Sequence, residues 1–266
     1  MSAALAPTTQ PLVDASWLAD HVDDPRVRIV EVDVSAAAYD RGHVPGAVLW
    51  NAYADLRHPD YTPLTRGELE QLFRRAGVGP ETTLAFYGYA AHLGYWLAQA
   101  HGHEAAALLD APRDRWPGPW ATDARAPEPT RYRLAPAARV VTRAELLELD
   151  AVVLDVRSEA EFVGDRFWPS DAPEERGRAG HVRGAVNLPI AELRSETGFR
   201  SRVELEAALR QRAVTPDRRV VVYCTIGNRA SQAWYALTHL LGFGDVAVYD
   251  GGWAEWGSDP TSPVER

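Results

Sequence analysis

The sequence predicts an α/β chain of two tandem domains, each a small parallel sheet flanked by helices. Three observations predict it: an internal repeat, apolar runs of strand length that are Val-rich without alternation, and capped amphipathic segments between those runs. The repeat organises the rest. Gly-His-Val-Pro-Gly-Ala at Gly42–Ala47 returns as Gly-His-Val-Arg-Gly-Ala at Gly180–Ala185, an offset of 138. Thr65–Glu70 returns as Ser201–Glu206 and Thr83–Gly88 as Arg219–Cys224, both at 136, and Leu109–Trp116 returns as Tyr249–Trp256 at 140. Four blocks in one order at nearly one offset define two homologous halves. Domains most often run to about 100–150 residues, and the chain of 266 divides into two of them. The expected limits are 10–116 and 140–260, joined by a linker over 117–139.

Each element of the second half has its own signal. Thr142–Leu149 reads as a helix with Thr142 and Glu145 as a capping box, and Ser201–Arg212 as another capped by Ser201 and Glu204. Ala151–Val156, Arg219–Tyr223 and Val246–Tyr249 read as strands, with a helix over Ala230–Leu241 between the last two. Strands that are apolar on both faces are buried on both, which indicates a parallel sheet between helical layers. Pro117 to about Arg139 holds five prolines without helical or strand periodicity, so it predicts a semi-rigid connector laid between the domains. Gly164–Gly180 has no counterpart in the first half and is expected to be a surface insertion bordering the site.

Composition removes several classes of function. No run approaches the roughly 20 apolar residues that span a bilayer, and the N-terminal stretch has no basic start followed by an apolar segment, so no membrane and no secretory signal are expected. A net charge of −9 argues against nucleic acid as a partner, because phosphate contacts need clustered cations. Every Lys-or-Arg position is arginine, which excludes a lysine Schiff base and a P-loop. The single cysteine excludes an internal disulfide and a four-thiolate zinc site, so a reducing cytoplasm is expected and neither metal nor cofactor is. His101-Gly-His103-Glu104 has no metal partner at usable spacing, and His43 and His181 read as structural turn residues. Oligomeric state is not legible.

That cysteine, Cys224, sits in Tyr-Cys-Thr-Ile-Gly-Asn-Arg-Ala-Ser, at the carboxyl end of a predicted strand, where open α/β sheets bind ligands. A lone cysteine is more often a small buried hydrophobe. Here Gly227 and Asn228 let the loop curl with its N–H groups inward, the helix N-terminus lies behind, and Arg229 follows five residues on. Such a cradle favours the thiolate over a thiol that otherwise titrates near about 8.5. Thr225, Ile226 and Asn228 are expected to shape the loop. The first half has Tyr87-Gly88 in place of Tyr223-Cys224, and a loop two residues shorter up to the next tryptophan. It therefore lacks the thiol, the arginine and part of the loop.

The segments Leu154-Asp-Val-Arg157, Gly180–Asn187, Tyr223–Ser231 and Tyr249–Gly257 resemble those of tandem-domain rhodaneses, the thiosulfate sulfurtransferases, over roughly residues 10–260. The resemblance implies an inactive first domain and a catalytic second one. It implies that Cys224 takes the outer sulfur of a small anionic donor as a persulfide and passes it to cyanide or a thiol, with the loop amides holding the charge. It also implies that Arg157 binds substrate; Arg229 is the second candidate, since a guanidinium fork suits a sulfonate. The alternative for Arg229 is that it pairs with a carboxylate such as Asp155 and only shapes the loop, and the alternative for Arg157 is similar; Asp155 is expected to orient loop amides or an arginine. Trp253 and Trp256 either line the site mouth or pack in the core.

The loop departs from the mammalian-type patterns Cys-Arg-Lys-Gly-Val-Thr and Cys-Gly-Ser-Gly-Val-Thr, because Thr225 and Ile226 stand where those carry charge or a serine hydroxyl. Thiosulfate and 3-mercaptopyruvate therefore both stay open as donors, and a non-enzymatic sulfur carrier or docking module stays open beside them. A phosphatase is disfavoured, since Cys224 to Arg229 spans Cys-x4-Arg, one residue short of a loop that encloses phosphate.

Overall fold

The structure is a computed structural model that describes residues 11–123, 126–168 and 177–266. The stretch read for a secretory signal, the expected domain start at residue 10 and the middle of the 164–180 insertion lie outside the described residues. The chain divides into two compact units, the first of residues up to 59 with 63–138 and the second of 60–62 with 139–266.

The first unit runs β1 (Leu12–Val13), α1 (Ala15–Asp20), β2 (Val27–Asp33), α2 (Ala37–Arg41), β3 (Val48–Asn51), α3 (Arg66–Arg75), β4 (Thr83–Tyr87), α4 (Ala91–Ala100) and β5 (Ala106–Leu109). Its sheet has the order β1-β5-β4-β2-β3 with every pair parallel. The proline-rich stretch lies on this unit: Thr130 donates to Arg74 O at 3.1 Å, Ala135 to His101 O at 3.0 Å and Ala138 to Ala100 O at 2.7 Å. Proline removes donors, so only intervening residues make these bonds.

The second unit runs β6 (Val140–Val141), α5 (Arg143–Glu148), β7 (Val152–Asp155), α6 (Glu159–Phe162), β8 (His181–Val182), β9 (Val186–Asn187), β10 (Arg194–Ser195), β11 (Gly198–Phe199), α7 (Arg202–Arg210), β12 (Val220–Tyr223), α8 (Asn228–Tyr235), β13 (Val246–Tyr249), α9 (Gly252–Trp256) and β14 (Val264–Glu265). Its main sheet, β6-β13-β12-β7-β9, is again all parallel. Val220, Val221 and Val222 are fully buried, because β12 is central and covered on both faces. Each such side chain contributes roughly 1.5–3 kcal/mol relative to exposure. The capping boxes at Thr142–Glu145 and Ser201–Glu204 form as their spacing dictates. The predicted helix over Ala230–Leu241 instead starts at Asn228 and ends in a π-helical turn at Ala236–Leu240. Among the described residues, no helix is long and apolar enough to cross a membrane.

Candidate active site

Parallel strands end at one edge, and three strands of the second unit deliver the candidate residues there. β7 and β12 pair with Asp155 opposite Tyr223, so Cys224 and Arg157 emerge from neighbouring strands. Cys224 is a free thiol with 1% exposure. The N–H of Gly227 donates to its Sγ at 3.1 Å. Gly227 is left-handed, with φ 103, and caps α8, so the thiol faces the positive end of that helix. The first turn of α9 holds the loop from behind: Trp253 N–H donates to Cys224 O at 2.8 Å and Ala254 N–H to Thr225 O at 3.1 Å. Gly252 permits that approach. Its φ is +57, and a Cβ there would stand 2.5 Å from Thr225 O and 2.7 Å from Cys224 O.

The two candidate arginines have separate carboxylates. Arg157 is fully buried; its Nε lies 3.0 Å and 3.1 Å from the oxygens of Asp155, and its Nη2 donates to Asp155 Oδ2 at 2.6 Å and to Gly180 O at 2.7 Å. The Trp253 ring lies 4.4 Å from its guanidinium carbon. Its Nη1 has no partner among the described residues. Asp155 also accepts a short bond from the Tyr223 hydroxyl. Burial first, and the Asp155 charge next, push that phenol far above its ordinary value.

Arg229 pairs with a carboxylate, as the alternative raised from the sequence has it, but the carboxylate is Glu161 and not Asp155. Its Nη1 donates to Glu161 Oε2 at 2.6 Å, and its Nη2 to Glu161 Oε1 at 2.9 Å and Thr225 Oγ1 at 2.6 Å. Glu161 is fully buried on α6 and is also fixed by Ser158, whose hydroxyl donates to it at 2.8 Å. Burial pushes the Glu161 carboxyl up, but the bonds and charge of Arg229, the Ser158 bond and the charge of Arg157 outweigh it and hold it below the ordinary 4.5. Burial likewise pulls Arg229 down, and Glu161 with the Cys224 charge outweighs that and raises it.

Thus Cys224, Thr225, Gly227 and Arg229 form one hydrogen-bonded loop, and Asp155 with Arg157 forms a buried pair beside it. Ile226 joins the second unit's core. Asn228 is buried with Oδ1 unpartnered among the described residues. Trp253 and Trp256 are core residues, 0% and 1% exposed. His43 and His181 stack on Tyr39 and Phe162 and pair through Nδ1 with the carbonyl of the same residue. Among the described residues, no group of three or more His, Cys, Asp or Glu could hold a metal. The sequence reading missed Glu161, Ser158 and Gly252. Ser158-x-x-Glu161 is a legible capping box, although nothing in that pattern says that its carboxylate also binds Arg229.

A pair of parallel-sheet α/β units, one with a cysteine loop at the strand ends, defines the class. The rhodanese-like domain family matches residues 14–116 and again 142–259. The chain is 38% identical to "Putative thiosulfate sulfurtransferase SseA" of Mycobacterium bovis, over 95% of this chain and 90% of that protein. It is 33% identical to "Sulfur carrier protein TtuD" of Thermus thermophilus, over 96% of both. In fold it is similar to the anaerobic ergothioneine biosynthesis enzyme of Chlorobium limicola in complex with trimethyl histidine, with a TM-score of 0.82 at 23% identity, over 96% of this chain and 70% of that one. The chain belongs to the rhodanese family.

Proposed function

We propose that this rhodanese is a sulfurtransferase that moves the outer sulfur of thiosulfate to cyanide or a thiol through a persulfide on Cys224. The observation that carries the reading is the Gly227 N–H on the Cys224 sulfur at 3.1 Å, at the N-terminus of α8. A donor and a helix dipole fixed on that sulfur stabilise a charge there before the reaction and through it. In the first step the Cys224 thiolate attacks the outer sulfur of thiosulfate. The new S–S bond forms as the old one breaks, and sulfite leaves with the electron pair. In the second step the acceptor attacks the outer sulfur, thiocyanate or a new persulfide departs, and the Cys224 thiolate returns. No net redox change occurs and no cofactor is needed. Arg229, with 19% side-chain exposure, is the guanidinium that meets the sulfonate; Arg157 offers Nη1 alone. The compartment proposed is the cytoplasm, on the strength of the single thiol.

A second reading, a sulfur carrier that gives up its persulfide to a protein partner, is supported by the burial of Cys224 and by the pairing of both arginines with carboxylates. The likeness to TtuD agrees with it. Initial rates over a grid of thiosulfate and cyanide concentrations separate the two. Parallel double-reciprocal lines with turnover near about 1 s⁻¹ or faster are expected of the enzyme. Loading by thiosulfate with no release to cyanide or small thiols assigns the carrier. More efficient turnover of 3-mercaptopyruvate than of thiosulfate reassigns the donor.

A further inference from the structure

Among the described residues Glu161 makes no hydrogen bond to the thiol, yet it is fully buried and binds both hydrogen-bonding ends of Arg229. Its occurrence follows the thiol. In the first unit His43 packs on Tyr39 as His181 packs on Phe162, so the residue before each aromatic corresponds. That residue is Glu161 in the second unit and Ala38 in the first, where the shortened loop also lacks an arginine at the position of Arg229. The carboxylate and the cation are present together only where there is a cysteine.

We propose that Glu161 is a positioning residue for the Cys224 chemistry: it fixes Arg229 on Thr225 and cancels the cation that would otherwise over-stabilise the sulfur anion. The cancellation matters for transfer. A thiolate held too strongly is a poorer nucleophile towards the donor, because nucleophilicity falls with basicity. Around Cys224, β7 and its loop contribute Asp155 and Arg157, β12 contributes Tyr223, α6 Glu161 and α8 Arg229. The α9 segment contributes Asp250 and Glu255, of which Glu255 accepts from Tyr249 at 2.6 Å. Asp155 already neutralises Arg157 at 2.6 Å, so removing Glu161 leaves Arg229 as the uncompensated charge beside the sulfur.

The proposal rests on Cys224 being the reactive group, but its test needs no sulfur donor. The rate of alkylation by neutral iodoacetamide is measured against pH, and the signal is clean because the chain has one cysteine. Four proteins are compared: wild type, Glu161→Gln, Arg229→Met and the double variant. Removing one charge of an opposed pair whose cation interacts with the thiolate moves such a midpoint by about one unit. The expected order of midpoints is Glu161→Gln lowest, then wild type and the double variant together, then Arg229→Met. Glu161→Gln also lowers KM for thiosulfate. The double variant removes a buried pair as a whole, which is often neutral for stability, so comparison with Arg229→Met stays available if Glu161→Gln does not fold. Overlapping midpoints, or a double variant as high as Arg229→Met, would overturn the proposal and leave Glu161 as a helix cap. Failure of wild type to load sulfur would overturn the reading of the function and leave this order standing.

Discussion

The two units build the same buried group from different positions. In the second, Asp155 at the end of β7 binds Tyr223 and Arg157, and the arginine reaches Gly180 O and lies on Trp253. In the first, Glu31 of β2 binds Tyr87 and Arg113, and that arginine reaches Gly42 O and lies on Trp120 at 4.3 Å. Yet Asp33 stands where Arg157 does, and Arg113 stands where Trp253 does. The cation has changed its place in the chain and kept its partners. A buried carboxylate without a cation costs several kcal/mol, so the pair is retained even where no thiol needs it. The Asp155–Arg157 pair therefore has a counterpart in the first unit, and the Cys224 loop with Thr225, Arg229 and Glu161 is what the second unit has in addition.

The largest expected effect comes from deleting that difference. Cys224→Ser should lower turnover by about 10³-fold or more, with an unchanged far-UV spectrum; residual activity within tenfold would remove Cys224 from the chemistry. Transplanting the thiol should fail. Gly88 has φ +101, and a Cβ there would stand 2.8 Å from Val32 O. A Gly88→Cys, Cys224→Ser protein is thus expected to be destabilised by about 1–3 kcal/mol in urea and to show no cyanide-dependent turnover. Turnover in that protein would mean that a thiol at the strand end suffices without its loop.

Gly252→Ala tests the support of the loop. Its Cβ must displace Cys224 O and Thr225 O, so a loss of about 2 kcal/mol and at least tenfold in rate are expected, whereas the equivalent Pro112 of the first unit has no such loop to hold. The pH test follows from Glu161. Its carboxyl is depressed below 4.5 in the folded chain, so its stabilising effect is present above pH 4.5 and is lost as pH falls through the folded value. Urea midpoints of wild type and Glu161→Gln should therefore differ at pH 7 and converge as pH falls below 4.5 through the folded value; a constant gap would contradict the depression. Trp253→Leu is expected to have the smallest effect on rate and to act on stability, at about 2–4 kcal/mol, because a fully buried ring is lost together with the stacked face of Arg157, measured the same way.

The architecture was legible because periodicity and repetition are properties of the chain itself: Val220–Tyr223 needs no partner to read as a doubly covered strand. So was the thiol, whose place between a strand and a Gly-Asn turn marks it. That Asp155 orients an arginine was legible, but the carboxylate that Arg229 takes was not. Arg229 finds Glu161, 68 positions away, only because α6 and α8 meet at the strand ends, and no local spacing encodes that. Gly252 was visible as a glycine, but the carbonyls that forbid a side chain there belong to another loop.

The most direct test of a persulfide on Cys224 is the intact mass of the protein after thiosulfate and again after cyanide, with Cys224→Ser in parallel. The expected result is a gain of one sulfur atom that cyanide removes and that the variant never acquires. A folded, reduced wild-type protein that gains no sulfur from thiosulfate, or a variant that gains it equally, would contradict the assignment.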